Sequence, residues 1–143
     1  MYRLFIILTI LAISCKSQKS NQNQSDIHDD LILLFEDAYY TVDSSKTMVI
    51  NSQKELNNLF SEINRTRKPG LAVPIVDFSR KTLIVVCAGE QKGIERIELV
   101  KTAEDHSSVE ISIKKVKGEK EAQISYPFCV YELPKTNKKF TFN

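Results

Sequence analysis

A chain of 143 residues has room for one small domain, not two. With 42% hydrophobic and 27% charged residues it is neither disordered throughout nor a multi-span membrane protein. Lys and Arg number 20 against 18 Asp and Glu, so no nucleic-acid-binding surface is implied, and two His and three Cys leave little for metal or triad chemistry.

Residues 1–14 read as an export signal. Met1-Tyr2-Arg3 is a short basic start, and residues 4–13 are apolar apart from Thr9. Such a run suits a signal-peptide core and is too short to cross a hydrocarbon layer of about 30 Å as a helix. Ala12 and Ser14 place small side chains just before Cys15. The arrangement resembles a bacterial lipoprotein signal, with Ala12 where Leu is usual and Leu11 one place further back. The resemblance implies cleavage before Cys15 and three acyl chains on the new N-terminus. One chain holds a protein only marginally, at about 0.8 kcal/mol per buried CH₂, whereas two or more hold it stably. An ordinary secretory signal cut at the same bond and an uncut anchor are the alternatives. Lys16 follows Cys15, and the first acidic residue beyond it is Asp26. By the sorting rules of such lipoproteins this points to the outer membrane, on its periplasmic face.

Residues 15–30 make the lipidated Cys and a tether. The run KSQKSNQNQSDIHDD has Ile27 as its one apolar member and cannot offset the entropy of ordering, so it reads as a flexible linker. His28 among Asp26, Asp29 and Asp30 reads as a solvated His, not a metal ligand. Residues 31–143 are a different material and form the single folded domain, large enough to bury about two thirds of its unfolded-chain surface.

The elements follow in order. Residues 31–35 are a dense apolar run ending at Glu36-Asp37, a first strand, and residues 47–50 are a second. Ser52-Gln53-Lys54-Glu55 matches a capping box, and Leu56, Leu59, Phe60 and Ile63 follow at helical spacing, which predicts a helix over residues 53–64. Residues 65–74 hold Gly70 and two prolines and read as a loop. Residues 82–88 are apolar on both faces, as a central strand covered on both sides requires. Gly89 and Gly93 flank a turn; residues 94–102 and 109–114 alternate as strands; residues 117–121 form a charged tip around Gly118. Residues 123–133 and 139–142 close the chain as strands. Successive short strands with tight turns imply antiparallel pairing. The fold class is α+β, with one main helix packed on a mostly antiparallel β-sheet or partial sandwich.

The chemical motifs point away from catalysis. Gly89-Glu90-Gln91-Lys92-Gly93 lacks the Lys-Ser/Thr end of a phosphate loop and sits between strands. A Ser-His-Asp constellation would have to use His28 or His106, and neither adjoins a nucleophile motif. Cys87 lies within an apolar strand, where burial blunts a thiol. Glu95, Glu98 and Glu110 fall on strand positions that read as solvated. No catalytic residue, cofactor or metal ligand is assigned, and the chain reads as a non-enzyme.

Three phrases carry a family resemblance. Ile50-Asn51-Ser52-Gln53-Lys54-Glu55-Leu56 comes first. Val76-Asp77-Phe78-Ser79 then leads into Thr82-Leu83-Ile84-Val85-Val86 and Gly89. Pro127-Phe128-Cys129-Val130-Tyr131-Glu132-Leu133-Pro134-Lys135 closes the series. In this order, over residues 49–135, they resemble the C-terminal domain of the PrcB family of protease-complex subunits. The resemblance implies an envelope lipoprotein that serves a surface protease as an accessory subunit, binding without catalysing. The family's Gly-Gly-Tyr phrase after the central strand is replaced here by Gly89-Glu90-Gln91-Lys92-Gly93-Ile94. Glu90, Gln91 and Lys92 are therefore the candidate partner contact, with an ordinary solvated hairpin as the alternative. Asp77 and Phe78 read first as structural, Asp77 satisfying turn amides and Phe78 capping the core.

The expected partners are the membrane, through acyl chains on Cys15, and an envelope protein, of which a protease is the one the resemblance suggests. Two further readings stay open: a free-standing inhibitor or ligand-binding module, and a hydrolase whose site the sequence does not display. Once Cys15 is acylated, Cys87 and Cys129 are the thiols left in an oxidising compartment. A disulfide between them would close about 42 residues and contribute about 2–4 kcal/mol; two buried free thiols are the alternative.

Overall fold

The computed structural model describes residues 30–40, 44–119 and 123–143. Cys15, His28 and the rest of residues 1–29, with the expectations of cleavage, lipidation and a tether, lie outside the described residues. The elements run β1 (Ile32–Asp37), β2 (Lys46–Ile50), α1 (Gln53–Asn64), β3 (Lys81–Cys87), β4 (Gln91–Lys92), β5 (Ile94–Glu104), β6 (Ser108–Lys117), β7 (Ile124–Ser125), β8 (Phe128–Pro134) and β9 (Lys139–Phe142).

The central layer is a four-stranded antiparallel sheet in the order β1-β8-β3-β2. Residues Thr82–Cys87 of β3 are all buried because both faces of the sheet are covered. On one face, Leu83, Val85 and Cys87 with Phe128 and Val130 meet Leu56, Leu59, Phe60 and Ile63 of α1. On the other, Ile84, Val86, Cys129, Tyr131 and Leu133 meet Ile97, Leu99, Val109 and Ile111 of the three-stranded sheet β5-β6-β9. The fold is thus α+β: a helix, a central sheet and a smaller sheet in three layers. Each fully buried Leu or Phe contributes about 1.5–3 kcal/mol.

The helix starts where the sequence places it. Ser52 Oγ accepts from the Glu55 amide at 3.3 Å. The Glu55 carboxylate accepts from the Asn51 amide at 2.9 Å, one residue before the amide that a simple capping box predicts. Asp77 behaves as a turn residue, its carboxylate accepting from the Ser79 amide at 3.1 Å, and Phe78 packs against the helix-side core.

Two expectations need correction. Residues 123–133 are not one strand but two, β7 and β8, separated at Tyr126-Pro127. Pro127 has no N–H for a ladder, and its carbonyl instead accepts from the Ala88 amide at 2.9 Å. β6 and β9 are parallel, not antiparallel, because β9 follows β8 from the other sheet rather than turning back from β6.

The register gives the domain two ends. Ile32 pairs with Glu132, Lys81 with Pro134 and Ile50 with Leu83 at one end. Asp37 and Cys87 both pair with Phe128, and Lys46 with Cys87, at the other. Asp30, the first described residue, belongs to the former end. Beside it the buried Lys101 ammonium donates to Asp30 and, at 2.8 Å, to Glu104, which also accepts from Lys138 at 2.7 Å.

Candidate functional site

The stretch from Gly89 to Gly93 is not a hairpin. It carries the chain from β3 in the central sheet to β5 in the smaller one. Gly89 and Gly93 take φ of 67° and 69°, a left-handed conformation that glycine adopts at low cost. Between them β4 pairs antiparallel with β7, Gln91 opposite Ser125 and Lys92 opposite Ile124. This small clip sits at the end of the domain opposite Asp30. A bridge between Tyr39 and Tyr126 extends it, with the Tyr40 amide donating to the Tyr126 carbonyl at 2.9 Å and the Tyr126 amide to the Ala38 carbonyl at 2.8 Å.

Strand parity divides the three candidate residues. Gln91 is tied down on both sides of its amide: Nε2 donates to the Ala88 carbonyl at 2.8 Å, and Oε1 accepts from Lys115 Nζ at 2.9 Å. Its role is structural. Glu90 and Lys92 are exposed. Lys92 shares a face with its cross-strand partner Ile124, and the Tyr126 hydroxyl donates to the Glu90 carboxylate at 2.9 Å. Tyr39 lies beside Tyr126, and its hydroxyl accepts from Gln123 Nε2 at 3.3 Å. Tyr39 is 54% exposed and Ile124 53%. The outer face of the clip is therefore a mixed surface of Tyr39, Tyr126, Ile124, Glu90 and Lys92. Tyr is a residue type enriched at protein interfaces, whereas Lys and Glu are more frequent at their rims than in their cores.

The inner face is closed by the buried Ser125, whose hydroxyl donates to the Ile94 carbonyl. Beside it lies an open cavity of about 480 Å³ lined by Ala38, Gly93, Glu95 and Gly118 among others. Sequence reasoning missed Tyr39, Ile124 and Tyr126. They lie far from Gly89 along the chain, and no local pattern announces the β4–β7 and Tyr39–Tyr126 pairings.

The cysteines take the other alternative. Cys87 and Cys129 are both buried and free, so the disulfide is not made. Burial pushes each thiol up to about 12. Burial, reinforced by Cys87 and Glu62, likewise pushes the Tyr40 hydroxyl up to about 12, and it donates to Glu62 at 3.3 Å inside the helix-side core. His106 is exposed in the turn between β5 and β6. Glu95 and Glu110 are exposed, and Glu98 is half-buried and paired with Arg96 at 2.7 Å. Among the described residues no group of three His, Cys, Asp or Glu could hold a metal ion, and no helix is long and apolar enough to cross a membrane. No family model, curated protein or solved structure matches the chain.

Proposed function

We propose that the protein is an envelope lipoprotein, held by acyl chains on Cys15 at the periplasmic face of the outer membrane, and that its domain is a non-catalytic accessory subunit. It binds another envelope protein through the outer face of the clip. A protease is the partner suggested by the resemblance of residues 49–135 to the PrcB family.

One observation carries this reading: the chain enters the domain at Asp30, and Tyr39, Ile124, Glu90 and Lys92 lie at the opposite end of the central sheet. The seven residues of β3 span about 23 Å between the two ends. A domain anchored through residues preceding Asp30 thus presents the clip away from its attachment, where a partner can reach it.

The anchor is tested by intact mass of the mature protein and by Cys15→Ser, which removes the sulfur that carries the diacylglycerol. Acyl mass on the native chain and loss of membrane association in the variant are expected; an unmodified Cys15 N-terminus would refute the anchor. The binding surface is tested by crosslinking and capture from native envelopes with the full chain. A partner captured by the native protein should be lost in Lys92→Glu and Ile124→Asp. Equal recovery of that partner by both variants removes the clip from the interface.

A further inference from the structure

We propose that the end of the domain carrying Asp30 rests on a bilayer surface with anionic headgroups, and that Ile75 is the side chain it inserts. This rests on the anchor at Cys15 put forward above.

Ile75 is 89% exposed, far more than any other large apolar residue among those described. Exposed apolar residues are common, and exposure alone argues little. Here the backbone on either side is gripped. The Gln53 side chain, at the start of α1, donates through Nε2 to the Pro74 carbonyl at 2.9 Å and accepts through Oε1 from the Val76 amide at 3.1 Å. That two-point grip brackets position 75. Leu71, Val73 and Val76 pack against the helix-side core, so the segment is fastened inwards while Ile75 projects.

The grip places Ile75 at the same end as the chain's entrance. Gln53 lies two residues after Asn51, whose Oδ1 accepts from Lys135 Nζ at 2.8 Å. Lys135 and Asp30 line one small cavity of about 150 Å³ beside Lys101. The Lys135 amide also donates to the Arg80 carbonyl at 2.7 Å, tying β8 to the segment before β3. Residues 16–30 cannot span more than about 50 Å from Cys15 even when fully drawn out. Residues 16–30 join the domain at its Asp30 end, which also carries the 89% exposed Ile75. A single apolar side chain adds a modest term to acyl anchoring and fixes which way the domain faces. Among the described residues the Lys135 ammonium donates to the neutral Asn51 amide and makes no ion pair, which leaves its charge open to headgroup phosphates. Lys139, also exposed, makes no ion pair among the described residues.

The chain contains no Trp, so one introduced indole reports its own depth. Full-length lipidated Ile75→Trp and Tyr39→Trp proteins are reconstituted into phosphatidylglycerol-containing vesicles with brominated acyl chains, and vesicle association is measured by flotation. The indole at position 75 should lose most of its emission and the one at position 39 should keep it. Adding Lys135→Glu and Lys139→Glu to Ile75→Trp should reduce the quenching. Flotation with equal quenching at both positions, or none at either, overturns the bilayer contact and leaves the anchor standing. Unchanged quenching with both lysines reversed overturns the headgroup part. A chain that does not float overturns the anchor and this inference together.

Discussion

Cys87 and Cys129 lie on neighbouring antiparallel strands one register place apart, Cys87 opposite Phe128 and Cys129 opposite Val86. Side chains alternate along a strand, so this offset puts the two sulfurs on opposite faces of the central sheet. Cys87 belongs to the core under α1 and Cys129 to the core under the three-stranded sheet. Both point inward, into different interiors. Mature protein denatured without reductant should therefore titrate two thiols. The native protein should react with neither at neutral pH, since burial pushes both up to about 12 and removes the thiolate. Finding no thiols after denaturation would contradict the register.

The helix makes a graded stability prediction. Ser52→Ala removes the oxygen that satisfies the Glu55 amide and should cost about 0.5–2 kcal/mol. Leu56→Ala and Leu59→Ala empty space between α1 and the central sheet and should cost about 2–5 kcal/mol each. Leu56, with no exposure, should stand at the upper end. Urea melts in which Ser52→Ala proved worse than Leu56→Ala would mean that the helix face is misassigned.

The clip separates two adjacent residues by role. Gln91→Ala loses bonds to Ala88 and Lys115 and should destabilise by about 1–2 kcal/mol. Lys92→Ala makes no such loss and should stay within about 0.5 kcal/mol of the native chain. Thermal melts of the two variants decide this, and equal melting temperatures would refute the assignment of Gln91 as a staple.

The pH dependence follows from the junction at Asp30. Hydrogen bonds from Lys101 and then Lys138 hold Glu104 below the usual carboxylate range. The Ser107 and Ser108 amides and hydroxyls do the same for Asp105, and Ser79 for Asp77. Groups lowered by folding stabilise the native state above their unfolded pKa values, about 3.9–4.3, and lose that contribution as pH falls through the folded values. Burial alone would lower Lys101, but its hydrogen bonds with Asp30 and Glu104 outweigh this and raise it. Its contribution is full below about 10.4 and is lost as pH rises through the raised value. Stability should be level from about pH 5 to 8 and fall on both sides. Above that range the Cys87 and Cys129 thiols ionise in the unfolded chain but not in the core, and Tyr40 and Lys101 add to the fall at higher pH. Glu104→Gln should flatten the acid limb; an acid limb identical to that of the native chain would exclude Glu104 from it.

Much of this architecture is written locally. The apolar stripe Leu56, Leu59, Phe60 and Ile63 and the Ser52 cap predict α1 to the residue. The doubly apolar run at residues 82–88 predicts a strand with both faces covered, as β3 is. Such features depend on neighbours within a turn of helix or along one strand, so a single segment carries them. The export signal expected in residues 1–15 is likewise a reading of sequence, and it lies outside the described residues. Pairing between distant segments is a different kind of information. Whether Cys87 meets Cys129 depends on the parity of β3 against β8, and a shift of one residue would reverse the answer. Gln91 parts from Glu90 and Lys92 because pairing with β7 makes this stretch a strand, whose alternation turns the Gln91 amide towards Ala88 and Lys115. Tyr39, Ile124 and Tyr126 become one surface through the β4–β7 pairing and the Tyr39–Tyr126 bridge. The exposure of Ile75 within an apolar run likewise depends on Gln53, a residue 22 positions away that grips the backbone on both sides of it. These relationships are set by register and long-range hydrogen bonds, which residue patterns along a single segment do not encode.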